Sequence, residues 1–269
     1  MPDPVLTHAL LALASGVLIG LSLGLIGGGG SILAVPLLLY VVGVASPHVA
    51  IGTGALAVAA NAAMSLALHA RARTVKWPCA IVFAGAGVFG AALGAQLGKA
   101  VGGEILLALF GGVMILVGAA MFLRRGEGGD PTVHLDRGSA PRLLPPLAGT
   151  GFLVGGLSGF FGIGGGFLIV PGLVTATSMP LLNAIGSSLV SVTVFGLTTA
   201  TSYAFSGLVD WRSAGLLILG GLAGSAAGLG LARRLSGSRQ ALSVLFAAIV
   251  ISTGLYIVWT GMDALATLI

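Results

Sequence analysis

Two glycine-rich segments are the part of this sequence best suited to bind a ligand: GGGGS at Gly27–Ser31 and GIGGGF at Gly162–Phe167. The apolar pieces that follow them, Ser31–Val44 and Phe167–Ser178, are short for a membrane span, which needs about 20 residues. A helix N-terminus presents unpaired backbone N–H groups and a partial positive charge of roughly +0.5. Glycine also lets a ligand approach the backbone closely. Two such N-termini meeting near the membrane midplane therefore predict an anion site that needs no charged side chain.

The predicted substrate-binding groups are the backbone of these glycine runs and polar side chains in neighbouring apolar stretches. They are Gly28, Gly29, Gly30, Ser31, Thr53, Asn61, Gly164, Gly165, Gly166, Ser187 and Ser188. Two other interpretations stay open: the glycines only allow close helix packing, and the hydroxyls only bond their own helix backbone. A nucleotide site is disfavoured, because no lysine follows either run and no strand is predicted before them.

The placement of acidic residues disfavours cation transport. The chain has seven Asp and Glu residues, and all of them fall at predicted helix ends or in loops. A proton relay or cation site normally needs a carboxylate within a span. An anion leaving a negative-inside cell gains about 2.3 kcal/mol per charge per 100 mV, so export needs no relay. No metal cluster, nucleophile–base pair or cofactor motif is visible, so we expect a protein that is not an enzyme and binds no cofactor or metal.

Composition identifies lipid as the solvent for much of the surface. Of 269 residues, 57% are hydrophobic and only 7% are charged, with a mean hydropathy of +1.11. A soluble domain carries about 25% charged residues. The net charge of +5 resides in basic residues of short loops, which indicates membrane topology and not nucleic-acid binding.

Eight apolar stretches have about the length of a membrane span. They are Leu6–Ile26, His48–Ala70, Pro78–Leu97, Gly103–Leu123, Leu147–Phe161, Leu181–Phe205, Ser213–Leu231 and Gln240–Thr260. The one long polar stretch, Arg124–Arg142, contains glycine, proline and both signs of charge. We therefore expect a first transmembrane repeat over 1–123, a cytoplasmic linker over 124–145 and a second transmembrane repeat over 146–269.

The two halves of the chain repeat each other. Pro36 aligns with Pro171 together with the surrounding glycines, and Trp77 aligns with Trp211. The predicted fold is an all-α polytopic membrane protein with two homologous halves. Each half holds a broken or re-entrant helix pair and three transmembrane helices, and such internal repeats are typical of secondary transporters.

The basic residues favour inverted halves, with both termini outside the cytoplasm. In that arrangement the cytoplasmic side carries Arg71, Arg73, Lys76, Arg124, Arg125, Arg137, Arg142, Arg233, Arg234 and Arg239, and the other side carries only Lys99 and Arg212. A parallel arrangement moves Arg233, Arg234 and Arg239 across and distributes the charges more evenly. The positive-inside rule therefore prefers inverted repeats.

The glycine motifs resemble those of the TauE/SafE family of sulfite exporters. The resemblance rests on GLIGGGGSILAVPLLL (Gly24–Leu39) and GFFGIGGGFLIVPGL (Gly159–Leu173), with Ser31 in place of the last glycine of the first copy. It implies a permease in a prokaryotic inner membrane that transports small organosulfur anions such as sulfite, sulfoacetate or related sulfonates. It gives neither the substrate of this chain nor its oligomeric state, and a homo-oligomer stays open.

Two other functions are compatible with the sequence. One is an anion channel, and the other is a membrane module that handles lipid or assembly without transport. Saturable flux favours the carrier, and non-saturating flux favours the channel. Lipid-sized density without flux favours the non-transport module.

Overall fold

The structure is a computed structural model. It describes residues 4–26, 31–123, 133, 135–136, 138–162, 164, 166–234, 247–248 and 250–260. The described part folds into helices, in the order α1 Pro4–Ile26, α2 Ser31–Val42, α3 Pro47–Arg71, α4 Trp77–Ala100, α5 Gly103–Leu123, α6 Ala140–Phe161, α7 Gly166–Thr177, α8 Leu181–Phe205, α9 Trp211–Arg234 and α10 Val250–Thr260.

Several of these helices have the length and composition of membrane spans. Among the described residues, five qualify: Leu6–Gly24 within α1, the whole of α3, α4 and α6, and Leu182–Phe205 within α8. No strand occurs in the described part of the chain. The predicted all-α polytopic membrane fold is therefore confirmed.

The helix that follows each glycine run is short, as predicted. In the first half, Ala34–Pro36 forms less than one α-turn, and Leu37–Val42 continues as a π-helix that ends at Gly43, whose φ is +84°. The π-helical stretch begins directly after Pro36, which has no N–H for the regular helical bond. In the second half, α7 has 12 residues and contains Pro171. Neither piece is long enough to cross a bilayer by itself.

Helix α6 begins earlier than the hydropathy pattern indicates. We expected its apolar stretch to start at Leu147, but the helix starts at Ala140, inside the segment predicted as linker. A reciprocal pair of hydrogen bonds lies directly before this start: the Ser139 N–H donates to Asp136 Oδ1 at 2.7 Å, and the Asp136 N–H donates to Ser139 Oγ at 2.9 Å. These polar contacts order the turn that leads into the helix, and a search for apolar residues does not detect them.

Each half packs its first long helix against a helix of the other half. Helix α1 packs along α9, and α6 packs along α4. A Cβ on Gly20 would collide with the backbone of Gly221, and a Cβ on Gly155 would collide with the backbone of Gly87. Glycine therefore sets the close approach of both crossings, in the manner of small-residue motifs between membrane helices.

Helices α3 and α8 form the centre of the molecule and run antiparallel. Gly52, near the start of α3, lies against the carbonyl of Leu208, just beyond α8. Gly186, near the start of α8, lies against Thr74, just beyond α3. Each of these helices has 25 residues, and α4 and α9 have 24 each. The antiparallel pairing of corresponding helices supports inverted repeats, whose orientation in the membrane stays a prediction.

Candidate functional site

The turn between α6 and α7 brings the second glycine run into the middle of the molecule. Gly162 ends α6 with a φ of +67°, and Gly164 has a φ of +67° as well. Both are left-handed conformations that glycine adopts without steric cost. A Cβ on Gly164 would lie 3.2 Å from Cγ1 of Val58 and 3.4 Å from Cγ1 of Val192. Val58 and Val192 lie near the middles of α3 and α8, so the turn reaches the centre of this helix pair.

Helix α7 starts directly after this turn. Its first residues, Gly166 and Phe167, are buried, and the helix continues to Thr177. The amides of the first turn of a helix have no intrahelical partner. The glycine turn therefore places the positive end of α7 inside the protein, and anion binding by Gly164 and Gly166 stays a prediction. Gly165 lies outside the described residues.

The first glycine run cannot be compared with the second, because Gly28, Gly29 and Gly30 lie outside the described residues. Ser31 is described, and it is fully buried at the start of α2. That the two helix N-termini meet near the midplane therefore stays a prediction.

Two of the predicted binding hydroxyls connect the halves. Thr53 Oγ1 on α3 accepts a hydrogen bond of 2.9 Å from the backbone N–H of Asp210, before α9. Ser187 Oγ on α8 accepts a hydrogen bond of 2.9 Å from the backbone N–H of Lys76, before α4. The two bonds are equivalent in the two halves. Each hydroxyl keeps its own proton to donate, so a role toward substrate stays a prediction.

Ser188 and Asn61 lie among other helices. Ser188 is buried, and its Oγ donates to the carbonyl of Ile185 at 2.8 Å within its own helix. Asn61 is fully buried against Gly221 of α9, and its Nδ2 donates to the carbonyl of Leu217 at 3.5 Å. Its Oδ1 has no partner in the described part of the chain. The structure thus places Asn61 at the α3–α9 contact, one helix turn from Val58.

Sequence reasoning missed the apolar collar of the turn, formed by Val58 and Val192, and the buried hydroxyl of Ser158. Ser158 is fully buried in the last turn of α6, and its Oγ has no partner among the described residues. Its carbonyl receives the N–H of Gly162. A serine one residue before the motif glycine Gly159 is the signal that could have identified it. Two valines within apolar helices give no such signal.

The chain matches one family of known proteins over most of its length. The family model "Sulfite exporter TauE/SafE" matches residues 12–257. The chain belongs to this family. The residues matched by the TauE/SafE model include both glycine runs, so the resemblance found in the motifs is confirmed.

Relatives from two bacteria and an archaeon are named as probable membrane transporters. A "Probable membrane transporter protein" of Xylella fastidiosa is 48% identical over 95% of this chain and 97% of its own. One from Bacillus subtilis is 26% identical over 92% of this chain and 96% of its own, and one from Methanocaldococcus jannaschii is 29% identical over 76% and 72%. No solved structure matches the chain significantly. This TauE/SafE protein is thus a multi-pass membrane transporter.

Proposed function

We propose that this TauE/SafE protein is a secondary carrier that exports small sulfur-containing anions such as sulfite, sulfoacetate or related sulfonates. The anion binds to backbone amides of the glycine turns near the midplane. The observation that supports this most is the Gly164 turn, which lies between Val58 and Val192 and directs the N-terminus of α7 into the protein.

The chemistry of the turn suits a compact oxyanion. Backbone N–H groups at a helix N-terminus bind sulfate, phosphate and carboxylate groups in many proteins, because the donors and the helix dipole act together. The valines of α3 and α8 make the surroundings of the turn apolar, and electrostatic attraction is stronger in a low-dielectric site. An uncharged site also lets the anion leave again, which a buried arginine would oppose.

The energetics favour export. Each negative charge that leaves a negative-inside cell gains about 2.3 kcal/mol per 100 mV. The cytoplasmic side is also predicted to carry most of the basic residues, which would concentrate anions at the entrance. The membrane potential can therefore drive the transport cycle without a coupled ion.

Flux in proteoliposomes tests this proposal. Sulfite, sulfoacetate, sulfolactate, taurine and matched carboxylates are supplied to the purified protein, with membrane potential and pH gradient imposed separately. We expect saturable flux of the sulfur-containing anions that responds to the potential, and weaker flux of zwitterionic taurine. Flux no greater than in protein-free liposomes, or flux that does not saturate, contradicts a carrier of this kind.

A further inference from the structure

The ammonium group of Lys99 is held at the end of α8, away from the glycine turn. Lys99 lies in the last turn of α4, and its Nζ donates to the carbonyl of Ser202 at 3.2 Å and to Ser206 Oγ at 3.1 Å. It also lies 5.8 Å from the centroid of the Tyr203 ring, within the range of a cation–π contact. These three contacts fix the position of a long, flexible side chain.

The charge of Lys99 has no counter-ion among the described residues. Its contacts are two neutral oxygens and one ring, although the side chain is half-buried. A partly buried charge without a partner costs free energy, so proteins normally pair it. An ammonium group carries three N–H donors, and two of them are used here. The third donor is available to a ligand.

Two residues that contact Lys99 carry hydroxyls without a hydrogen-bond partner among the described residues. The Tyr203 side chain is 0% exposed, and its hydroxyl has no hydrogen-bond partner in the described part of the chain. The same holds for the buried Oγ of the neighbouring Ser202. His48 stacks on Tyr203 with ring centroids 6.4 Å apart, and its Nε2 lies 3.2 Å from the carbonyl of Val101. Two residues that contact the cation therefore carry hydroxyls that can still donate a hydrogen bond, which suits an oxyanion.

The position of Lys99 puts this cluster near the predicted extracytoplasmic side of the membrane. Its helix ends on the same side of the molecule where α3 begins, and the predicted topology puts that side outside the cytoplasm. Membrane proteins usually place few basic residues near that face. Of the two predicted there, Lys99 is directed between helices, whereas Arg212 is exposed.

We propose that Lys99, with the hydroxyls of Tyr203 and Ser202, forms an outer subsite for the transported oxyanion. An anion that leaves the Gly164 turn binds here before release. This inference rests on the proposed function, because it adds a second binding site for the same substrate. Lys99 supplies the charge that the central site lacks.

Transport measured from each face of the membrane tests the subsite. Labelled sulfite uptake is compared in right-side-out and inside-out membrane vesicles for the wild type, Lys99→Gln and Lys99→Arg. In Lys99→Gln we expect the half-saturating concentration at the extracytoplasmic face to rise about tenfold or more, the effect of losing one charge-assisted hydrogen bond. At the cytoplasmic face it should stay within about twofold. Lys99→Arg should restore most of the outer-face affinity.

Arg212→Gln is the matched control, because it removes the other predicted outer cation. We expect no change at either face. An unchanged outer-face value in Lys99→Gln, or an equal rise at both faces, overturns the subsite while the carrier function stands. A wild type without sulfite uptake overturns the proposed function and this inference with it. Loss of uptake in both Lys99→Gln and Lys99→Arg, with normal membrane insertion, contradicts a role based on charge.

Discussion

At the scale of single residues, polar side chains of each half bond to the backbone just before a helix of the other half. Thr53 and Ser187 occupy equivalent positions, and each accepts the backbone N–H of a residue that precedes a helix of the opposite half. Their types and their relation by repeat were readable from the sequence. Their partners were not, because a hydroxyl that bonds across helices looks the same in a sequence as one that faces a substrate.

At the residue scale, the stability of the protein should depend on the carboxylate of Asp210, which precedes α9. Its carboxylate accepts the Ser213 hydroxyl at 2.6 Å and the backbone N–H groups of Arg212 and Ser213 at 3.0 and 3.2 Å. Burial acts to raise the pKa of Asp210, but these hydrogen bonds and the nearby His8 outweigh it and lower the pKa. Because the folded pKa lies below the unfolded one, the ionised cap stabilises the protein above the unfolded pKa. That stability is lost as the pH falls through the folded pKa.

We therefore expect the thermal midpoint in detergent to fall as the pH is lowered below about 4. Asp210→Asn keeps a capping oxygen but removes the charge, so it should lower the midpoint only slightly at pH 7 and should flatten this acid dependence. Glu104→Gln, which removes an exposed carboxylate in the first turn of α5, is the control and should leave the curve unchanged. A wild-type acid dependence in Asp210→Asn would show that another group causes it.

At the scale of helices, the sequence predicts bounds well and contacts poorly. The apolar stretches at His48–Ala70 and Leu181–Phe205 coincide closely with α3 and α8. Length and apolar composition decide where such helices can exist, and both are local properties. The exchange of α1 and α6 between halves depends on which glycine faces which backbone. Local pattern does not carry that information.

The close α4–α6 crossing should make the stability of the protein sensitive to substitution of the glycines at the contact. Gly155→Ala would place a methyl group against the backbone of Gly87, so the helices must separate, and we expect a loss of about 1–3 kcal/mol. Gly149 lies on the same helix, and a Cβ there meets nothing within 4 Å. Gly149→Ala should therefore leave stability unchanged or raise it by up to about 1 kcal/mol. Unfolding in detergent with increasing SDS measures both, and equal effects would contradict a tight crossing.

At the scale of the whole molecule, corresponding helices are related by an antiparallel pairing at the centre. The charge distribution and the α3–α8 contacts both agree with inverted repeats, and the side-specific effect expected for Lys99 tests that arrangement. An effect confined to the cytoplasmic face would contradict both the outer subsite and the predicted orientation. If the repeats are inverted, movement of one repeat against the other can expose the same site to each side of the membrane in turn, as alternating access requires.

The candidate site itself was predicted in part. The glycine run and the start of α7 follow from composition, because glycine breaks helices and permits positive φ. The valines that surround Gly164 come from two other helices and become visible only in the folded molecule. Asn61 was predicted as a binding residue from its polarity alone, and the fold places it against Gly221 of α9.

A comparison of Asp with Asn at Gly164 tests the central claim most directly, because the two variants differ in charge and hardly in shape. Asn and Asp have nearly the same size, and both tolerate the left-handed conformation better than other non-glycine residues. Sulfite flux is measured in proteoliposomes for Gly164→Asp and Gly164→Asn. The controls are Gly207→Asp and Gly207→Asn, since Gly207 has a φ of +69° and open space around its Cα. We predict that Gly164→Asp loses flux at least tenfold relative to Gly164→Asn, whereas the Gly207 pair is equal. Equal flux in Gly164→Asp and Gly164→Asn, with both proteins inserted, would contradict an anion site at the glycine turn.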